Sequence, residues 1–239
     1  PNFNITVGAL VAERPLRAKL FENHGIDYCC GGKKTLSQVC QEKGLEPSVL
    51  ADELASFDDS TANALSAHAE LTQASLSTII EHIVSKHHVY LKENLPRVVQ
   101  LMDKVAKVHG EREPFLIELK SLVSELVDDL MPHMMKEEQI LFPMIRQLET
   151  ADHLPSFHCG SVHNPIRAME FEHDEVGNML AKMRALTGNF SPPEKACHSF
   201  LALYAALEDL ERDLHMHIHE ENNILHPATL DREEALLGR

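Results

Sequence analysis

From about Gln73 onward, apolar residues recur at a spacing near 3.6 in four long stretches, separated by short polar breaks. That period belongs to helices with one buried face. It predicts helices over roughly 73–108, 113–149, 164–187 and 192–227, with a kink at Pro96 and the longest break at 150–163. Four such segments stack most simply as an antiparallel four-helix bundle. Earlier in the chain the amphipathic pieces are shorter. Glu13 to His24 reads as a helix with Pro15 in its first turn and Gly25 as its stop. Asp27-Tyr28-Cys29-Cys30-Gly31-Gly32 reads as a tight turn, Thr35 caps a short helix that ends at Gly44, and Pro47 opens another. Residues 58–72, rich in Asp, Ser, Thr and Ala, read as a linker. The expected fold class is therefore all-α: a small helical domain at 1–57, a linker at 58–72 and a four-helix bundle at 73–230.

The bundle carries an internal repeat. HMMKEEQILFP begins at His133 and HIHEENNILHP at His217, 84 residues further on. At that offset Leu126, Asp129, Leu130, Glu137, Ile140, Leu141 and Pro143 correspond to Leu210, Asp213, Leu214, Glu221, Ile224, Leu225 and Pro227. The first and third helices match more faintly, through His88 with Val84, Leu91 and Leu95, and His173 with Met169, Val176 and Leu180. His87 fits less well because its i+7 neighbour is the polar Asn94, although helical phase alone does not exclude it.

His and Glu at i and i+4 lie on one face of a helix, a turn apart. Each pair here is flanked by positions of the apolar stripe, so the polar groups are expected to point inward. Burying two carboxylates and four imidazoles without partners is costly, and a metal removes that cost. Two single His and two His-x-x-x-Glu pairs give six ligands with pseudo-two-fold symmetry. That is more than one tetrahedral zinc requires, and it suits two ions sharing both carboxylates. Imidazole with carboxylate favours iron or manganese.

Composition narrows the class further. The formal charge of −15 repels nucleic acid and anionic membranes and is compatible with binding cations. No apolar run is long enough to span a bilayer, and no basic-then-apolar leader opens the sequence. Five Cys with no secreted framework point to reduced thiols in a cytoplasmic protein. The 16 His are more than a soluble core ordinarily needs.

These segments resemble a known family. DYCCGGKKTL at 27–36, HMMKEEQILFPMI at 133–145, EHDEVG at 172–177 and ENNILHP at 221–227 are similar to the iron–sulfur cluster repair (RIC, YtfE/ScdA-type) proteins, whose larger part is a haemerythrin-like (HHE) bundle. The resemblance runs over nearly the whole chain. It implies two non-haem irons, oxygen-bridged, on His88, His133, Glu137, His173, His217 and Glu221, with both Glu bridging. These are the six positions that the repeat reached independently. Departures are His219 and His226, the latter standing where an aromatic matching Phe142 is expected. Gly177 occupies the place of the extra His used by oxygen-carrying haemerythrins. The resemblance further implies a role under nitric oxide or oxidative stress. Damaged iron–sulfur proteins would be clients and nitric oxide or dioxygen the small ligand, served by iron donation or by nitric oxide reductase-like turnover.

Several residues stand outside that set. Asp129 and Asp213, one turn before the ligand His, are expected to orient its free ring N–H. Glu138, beside Glu137, is expected to be dispensable for metal, and Glu170 is a neighbour of the site. Cys29 and Cys30 are the candidate reactive pair, suited to redox or iron-handing chemistry; their glycine-bounded turn predicts exposed thiols near backbone N–H groups. Cys40, Cys159 and Cys197 read as ordinary, and His153, His158 and His163 as part of a solvated loop. Met131, Met134, Met135, Met169, Met179 and Met183 read as core or pocket lining. A dioxygen or nitric oxide sensor without turnover, and a two-metal hydrolase, are the competing classes; a plain carrier has no need of the Cys-Cys domain. Monomer and homodimer are both open.

Overall fold

Every extended helical run expected from the 3.6 period is present in the computed structural model, which describes residues 3–61 and 71–238. The described part is helical throughout, apart from loops and two isolated bridge pairs. Four short helices come first: α1 (Val7–Glu13), α2 (Arg17–Asn23), α3 (Leu36–Lys43) and α4 (Pro47–Ser60). The long helices follow. α5 is Leu76–Ile83 and Val89–His109 joined by a π turn at Val84–His88. α6 is Phe115–Lys136 and Phe142–Thr150 around a π turn at Glu137–Leu141, and α7 is His163–Leu186. α8 is His198–Glu220 and His226–Leu237 around a π turn at Glu221–Leu225.

The second and third π turns lie 84 residues apart, so the sequence repeat is also a repeat of backbone geometry. In each, the N–H after the turn reaches five residues back, Phe142 to the Glu137 carbonyl and His226 to that of Glu221. A Pro follows immediately, at 143 and 227. The widened turn leaves room for its ring and leaves one carbonyl without its usual donor, which proline could not have supplied.

Boundaries differ from the periodic reading in three places. Pro15 holds Arg14 extended (φ −142°, ψ 92°), so the expected Glu13–His24 helix is split between α1 and α2. Pro192 and Pro193 delay the start of the last helix to His198, and the π turn lets it run past Pro227 to Leu237. Within the expected linker, α4 continues to Ser60, and residues 62–70 lie outside the described part.

The chain divides into two compact units. One comprises His82–Met144 and Asn164–His215. It holds most of α5, α6 and α7 and the first half of α8, and its core is the predicted stripe: Leu91, Leu95, Met102, Leu119, Val123, Leu126, Leu180, Leu203, Leu207 and Leu210 are all buried. Met134, Met169, Met179 and Met183 join that core, whereas Met131 and Met135 are exposed.

The other unit comprises Pro1–Glu81, Ile145–His163 and Met216–Arg239. Val7, Val11, Phe21, Leu36, Val39, Leu50 and Leu54 close its N-terminal helices. Arg17 is buried there and bonds Asp58, Glu13 and the Leu10 carbonyl. α3 starts as predicted, with a Thr35–Gln38 capping box, and stops at Gly44 with φ +67°. The end of α6 has carbonyls without intrahelical donors, and Arg232 donates to those of Leu148, Glu149 and Ala151.

Candidate metal centre

In the unit formed by most of the long helices, four of the predicted ligands converge. Glu137 is fully buried and divides its two oxygens: Oε1 lies 3.2 Å from His133 Nε2 and Oε2 lies 3.4 Å from His88 Nε2. His173 Nε2 lies 3.1 Å from His133 Nε2, and the ligand atoms of His133, Glu137 and His173 all fall within 4.8 Å of one another. His88, His133 and His173 are 0%, 4% and 2% exposed, which excludes a solvated-histidine reading for all three.

Two of these rings are held from outside by carboxylates. His88 Nδ1 donates to Glu138 at 2.7 Å, and Lys92 donates to the same oxygen at 2.6 Å. His133 Nδ1 donates to Glu172 at 2.8 Å, and Lys136 donates to the other oxygen of that carboxylate. The two triads follow one rule: the acid comes from the next long helix, and the lysine from the ligand's own helix. With Nδ1–H committed outward, each Nε2 lone pair is presented to the buried side. Burial alone would raise the pKa of Glu138 and Glu172. The hydrogen bonds from Lys92 and His88, and from Lys136 and His133, outweigh it and hold both carboxylates below their ordinary value.

This corrects two expectations. Asp129 is not the partner of His133, because Glu172 takes that place; Asp213 bonds His87 Nδ1 at 2.8 Å instead of a ligand ring. Glu138 is not dispensable by geometry, since it holds His88. The π turn at Val84–His88 explains why helical phase did not separate the adjacent histidines: both are fully buried, one against Asp213 and one toward Glu137. Glu138 and Glu172 carried no repeat signal, because positions 222 and 88 at their 84-residue offsets hold Asn and His. A cleft of about 200 Å³ reaches His133 from outside, lined by Asp128, Asp129, Glu172 and Glu175 with Lys136.

The other unit holds the second His-x-x-x-Glu pair. His217 Nε2 is 3.3 Å from Glu221 Oε1, and both residues are buried. His219 and His226, the two departures from the family pattern, are buried as well. His226 takes the aromatic place of Phe142, and His219 Nδ1 lies 3.3 Å from the Tyr28 carbonyl.

The Cys29–Cys30 turn differs from its prediction. Cys29 is 5% exposed, and its thiol donates to Asp27 Oδ1 at 3.2 Å, with Cys30 Sγ at 4.0 Å. The adjacent Cys30 sulfur, burial and the Asp27 carboxylate push the Cys29 thiol well above its ordinary pKa. The glycines at 31 and 32 do not open the turn, because Tyr28 and Cys29 fold inward and only Cys30 is half-buried. Cys159 and Cys197 are exposed and Cys40 is buried.

The donor set fits iron: imidazole nitrogens and carboxylate oxygens, with no thiolate among the converging groups, and a buried carboxylate between imidazoles that calls for a cation. Long helices with such a set inside define a cation-binding helical bundle of the haemerythrin class, and residues 79–229 match the Hemerythrin HHE cation binding domain. Residues 3–58 match a Domain of Unknown function (DUF542). The chain is 37% identical over 230 residues to the iron-sulfur cluster repair protein YtfE of Yersinia pseudotuberculosis serotype IB (strain PB1/+), covering 96% of this chain and 98% of that protein. Identity and coverage are the same with the YtfE protein of Yersinia pestis (strain Pestoides F). The chain belongs to the YtfE-type iron–sulfur cluster repair family. Among the described residues no helix is long and apolar enough to cross a membrane.

Proposed function

We propose that the chain repairs iron–sulfur clusters damaged by nitric oxide or oxidative stress, from a di-iron centre held by His88, His133, Glu137, His173, His217 and Glu221. The observation that carries this reading is the doubled His-x-x-x-Glu turn. Both copies start a π turn at the Glu, both bury the His and the Glu, and they recur at the 84-residue offset of the sequence repeat. Support for repair comes from the family itself, whose members named above are called iron–sulfur cluster repair proteins. Residues 1–57 act as a small domain carrying the Cys29–Cys30 turn, and 73–230 as the iron-holding domain. The protein works in the cytoplasm, with damaged iron–sulfur proteins as clients.

Each side chain has a definite task. Glu137 and Glu221 each offer two oxygens, so each can serve both metals. Glu138 and Glu172 fix the rings of His88 and His133, while Lys92 and Lys136 neutralise those acids. Bound iron supplies ligand exchange and one-electron redox chemistry. The acidic cleft beside His133 attracts cations toward that ligand.

The test uses full-length reduced protein without oxygen. It is mixed with a nitric-oxide-damaged iron–sulfur enzyme, and client activity and nitrous oxide are followed together. Recovery of the client with loss of iron from this protein is the expected result for donation; for reduction it is repeated nitrous oxide formation once an electron donor is added, each nitrous oxide taking two nitric oxide, two electrons and two protons and releasing water. Stoichiometric nitric oxide binding with neither outcome would replace this reading with that of a sensor or carrier.

A further inference from the structure

The third π turn, Glu221–Leu225, has its outer side against the N-terminal helices, all within one compact unit. Asn223, two residues after Glu221, directs its side-chain amide at the Cys29–Cys30 turn. Nδ2 donates to the Cys29 carbonyl at 3.1 Å and to the Tyr28 carbonyl at 3.4 Å. The amide fills a slot made by two glycines. A Cβ on Gly8 would stand 2.3 Å from Asn223 Oδ1, and so would a Cβ on Gly32. Those glycines are tied to each other, since Gly8 N–H donates to the Gly32 carbonyl at 2.9 Å. On the other side of the amide, the His219 ring packs edge-on to Tyr28 with centroids 5.6 Å apart. The α1 start, the thiol turn and the Glu221 turn therefore meet at a single side chain. The corresponding residue in the first repeat, Gln139, is exposed.

We infer that Asn223 is a positioning residue that locks the Cys29–Cys30 turn to the segment bearing Glu221, so that opening of the thiol turn and occupancy of the metal centre depend on each other. The inference rests on the reading of Glu221 as a metal ligand. The physical link is short. The π turn Glu221–Leu225 includes both residues, so a ligand that fixes Glu221 also fixes the backbone from which Asn223 projects. Anything that binds only the closed form lowers the population of the open form.

The test is alkylation of the full-length chain by iodoacetamide, read peptide by peptide, with exposed Cys159 and Cys197 as internal standards. Metal-free protein and protein loaded with ferrous iron are compared, and iron content is measured on each sample. In the wild type, iron slows alkylation of Cys29 by about tenfold. Asn223→Asp keeps the size but sets a carboxylate oxygen against two carbonyls, and Asn223→Ala removes the contact. Both should speed Cys29 alkylation in metal-free protein and abolish the response to iron, while Cys159 and Cys197 are unchanged. Gly8→Ala should also speed it, because its Cβ would meet both the Asn223 amide and the Gly32 carbonyl. Circular dichroism confirms that each variant is folded. If the Asn223 variants label Cys29 at the wild-type rate, with the same response to iron, the lock does not exist. If wild-type protein takes up no iron, the reading of the metal centre fails; faster labelling of the metal-free Asn223 variants would still support the lock itself.

Discussion

The two His-x-x-x-Glu turns are alike on the inside and unlike on the outside. Glu137 and Glu221 are both fully buried, and Leu141 and Leu225 pack equally deep beside them. Yet Ile140 is 54% exposed whereas its counterpart Ile224 is 9% exposed. Gln139 faces solvent where Asn223 meets the Cys29–Cys30 turn, and Glu138 backs His88 where Asn222 is buried. Residues on the buried inner side keep one pattern, and residues aimed away follow whatever covers that helix. Sequence likeness within the repeat thus marks the inner side, and sequence difference marks the outer side.

The largest effect should come from the shared side. On the proposal that each carboxylate serves both ions, Glu137→Ala and Glu221→Ala should each lose nearly all bound iron, measured as metal per chain after reconstitution. If one variant keeps a full complement, the two turns are not equivalent. Next comes the outer side. Ile224→Ala should cost about 3 kcal/mol of stability in urea unfolding, and Ile140→Ala no more than about 0.5 kcal/mol. Equal costs would erase the contrast in burial.

Smaller still is the loss of a backing carboxylate. Glu138→Ala should weaken iron affinity roughly tenfold or more without emptying the site, as judged by chelator competition, whereas Glu175→Ala, which lines the cleft without holding a ligand ring, should leave affinity near normal. The least effect is expected at the N-terminal helices. Thr35→Ala removes the capping box of α3 and should lower stability by about 1 kcal/mol, with a modest rise in Cys29 alkylation. Because the Cys29 thiol is raised, its alkylation should climb only above the ordinary thiol pH range in folded protein, and at the ordinary range once the chain is unfolded. Matching pH profiles in both states would contradict the burial of this turn.

Much of this was legible in the sequence. The 3.6 period located the long helices because each buries a continuous apolar stripe, and the repeat reached six ligand candidates because paired His and Glu on that stripe are otherwise too costly. Other features carried no such signal. The three π turns come from one extra residue per turn, which periodicity averages over, so helical phase alone does not separate His87 from His88, and the preference for His88 comes from the match to His173. Glu138 and Glu172 look like surface acids on their own helices; only packing beside the neighbouring helix makes them partners of His88 and His133. Exposure of Cys29 was misjudged because flanking glycines signal a turn without saying which way it faces. Here Gly32, with Gly8, makes room for Asn223, which bonds the Cys29 carbonyl 194 residues away in the chain.

The central claim is a two-iron centre shared by the two halves of the repeat, and metal analysis of the full-length chain with its visible spectrum tests it most directly. After anaerobic reconstitution with ferrous iron and exposure to air, the protein should hold close to two irons per chain and show a ligand-to-iron band from an oxygen bridge. A single tightly held zinc, with no iron retained and no such band, would contradict the account.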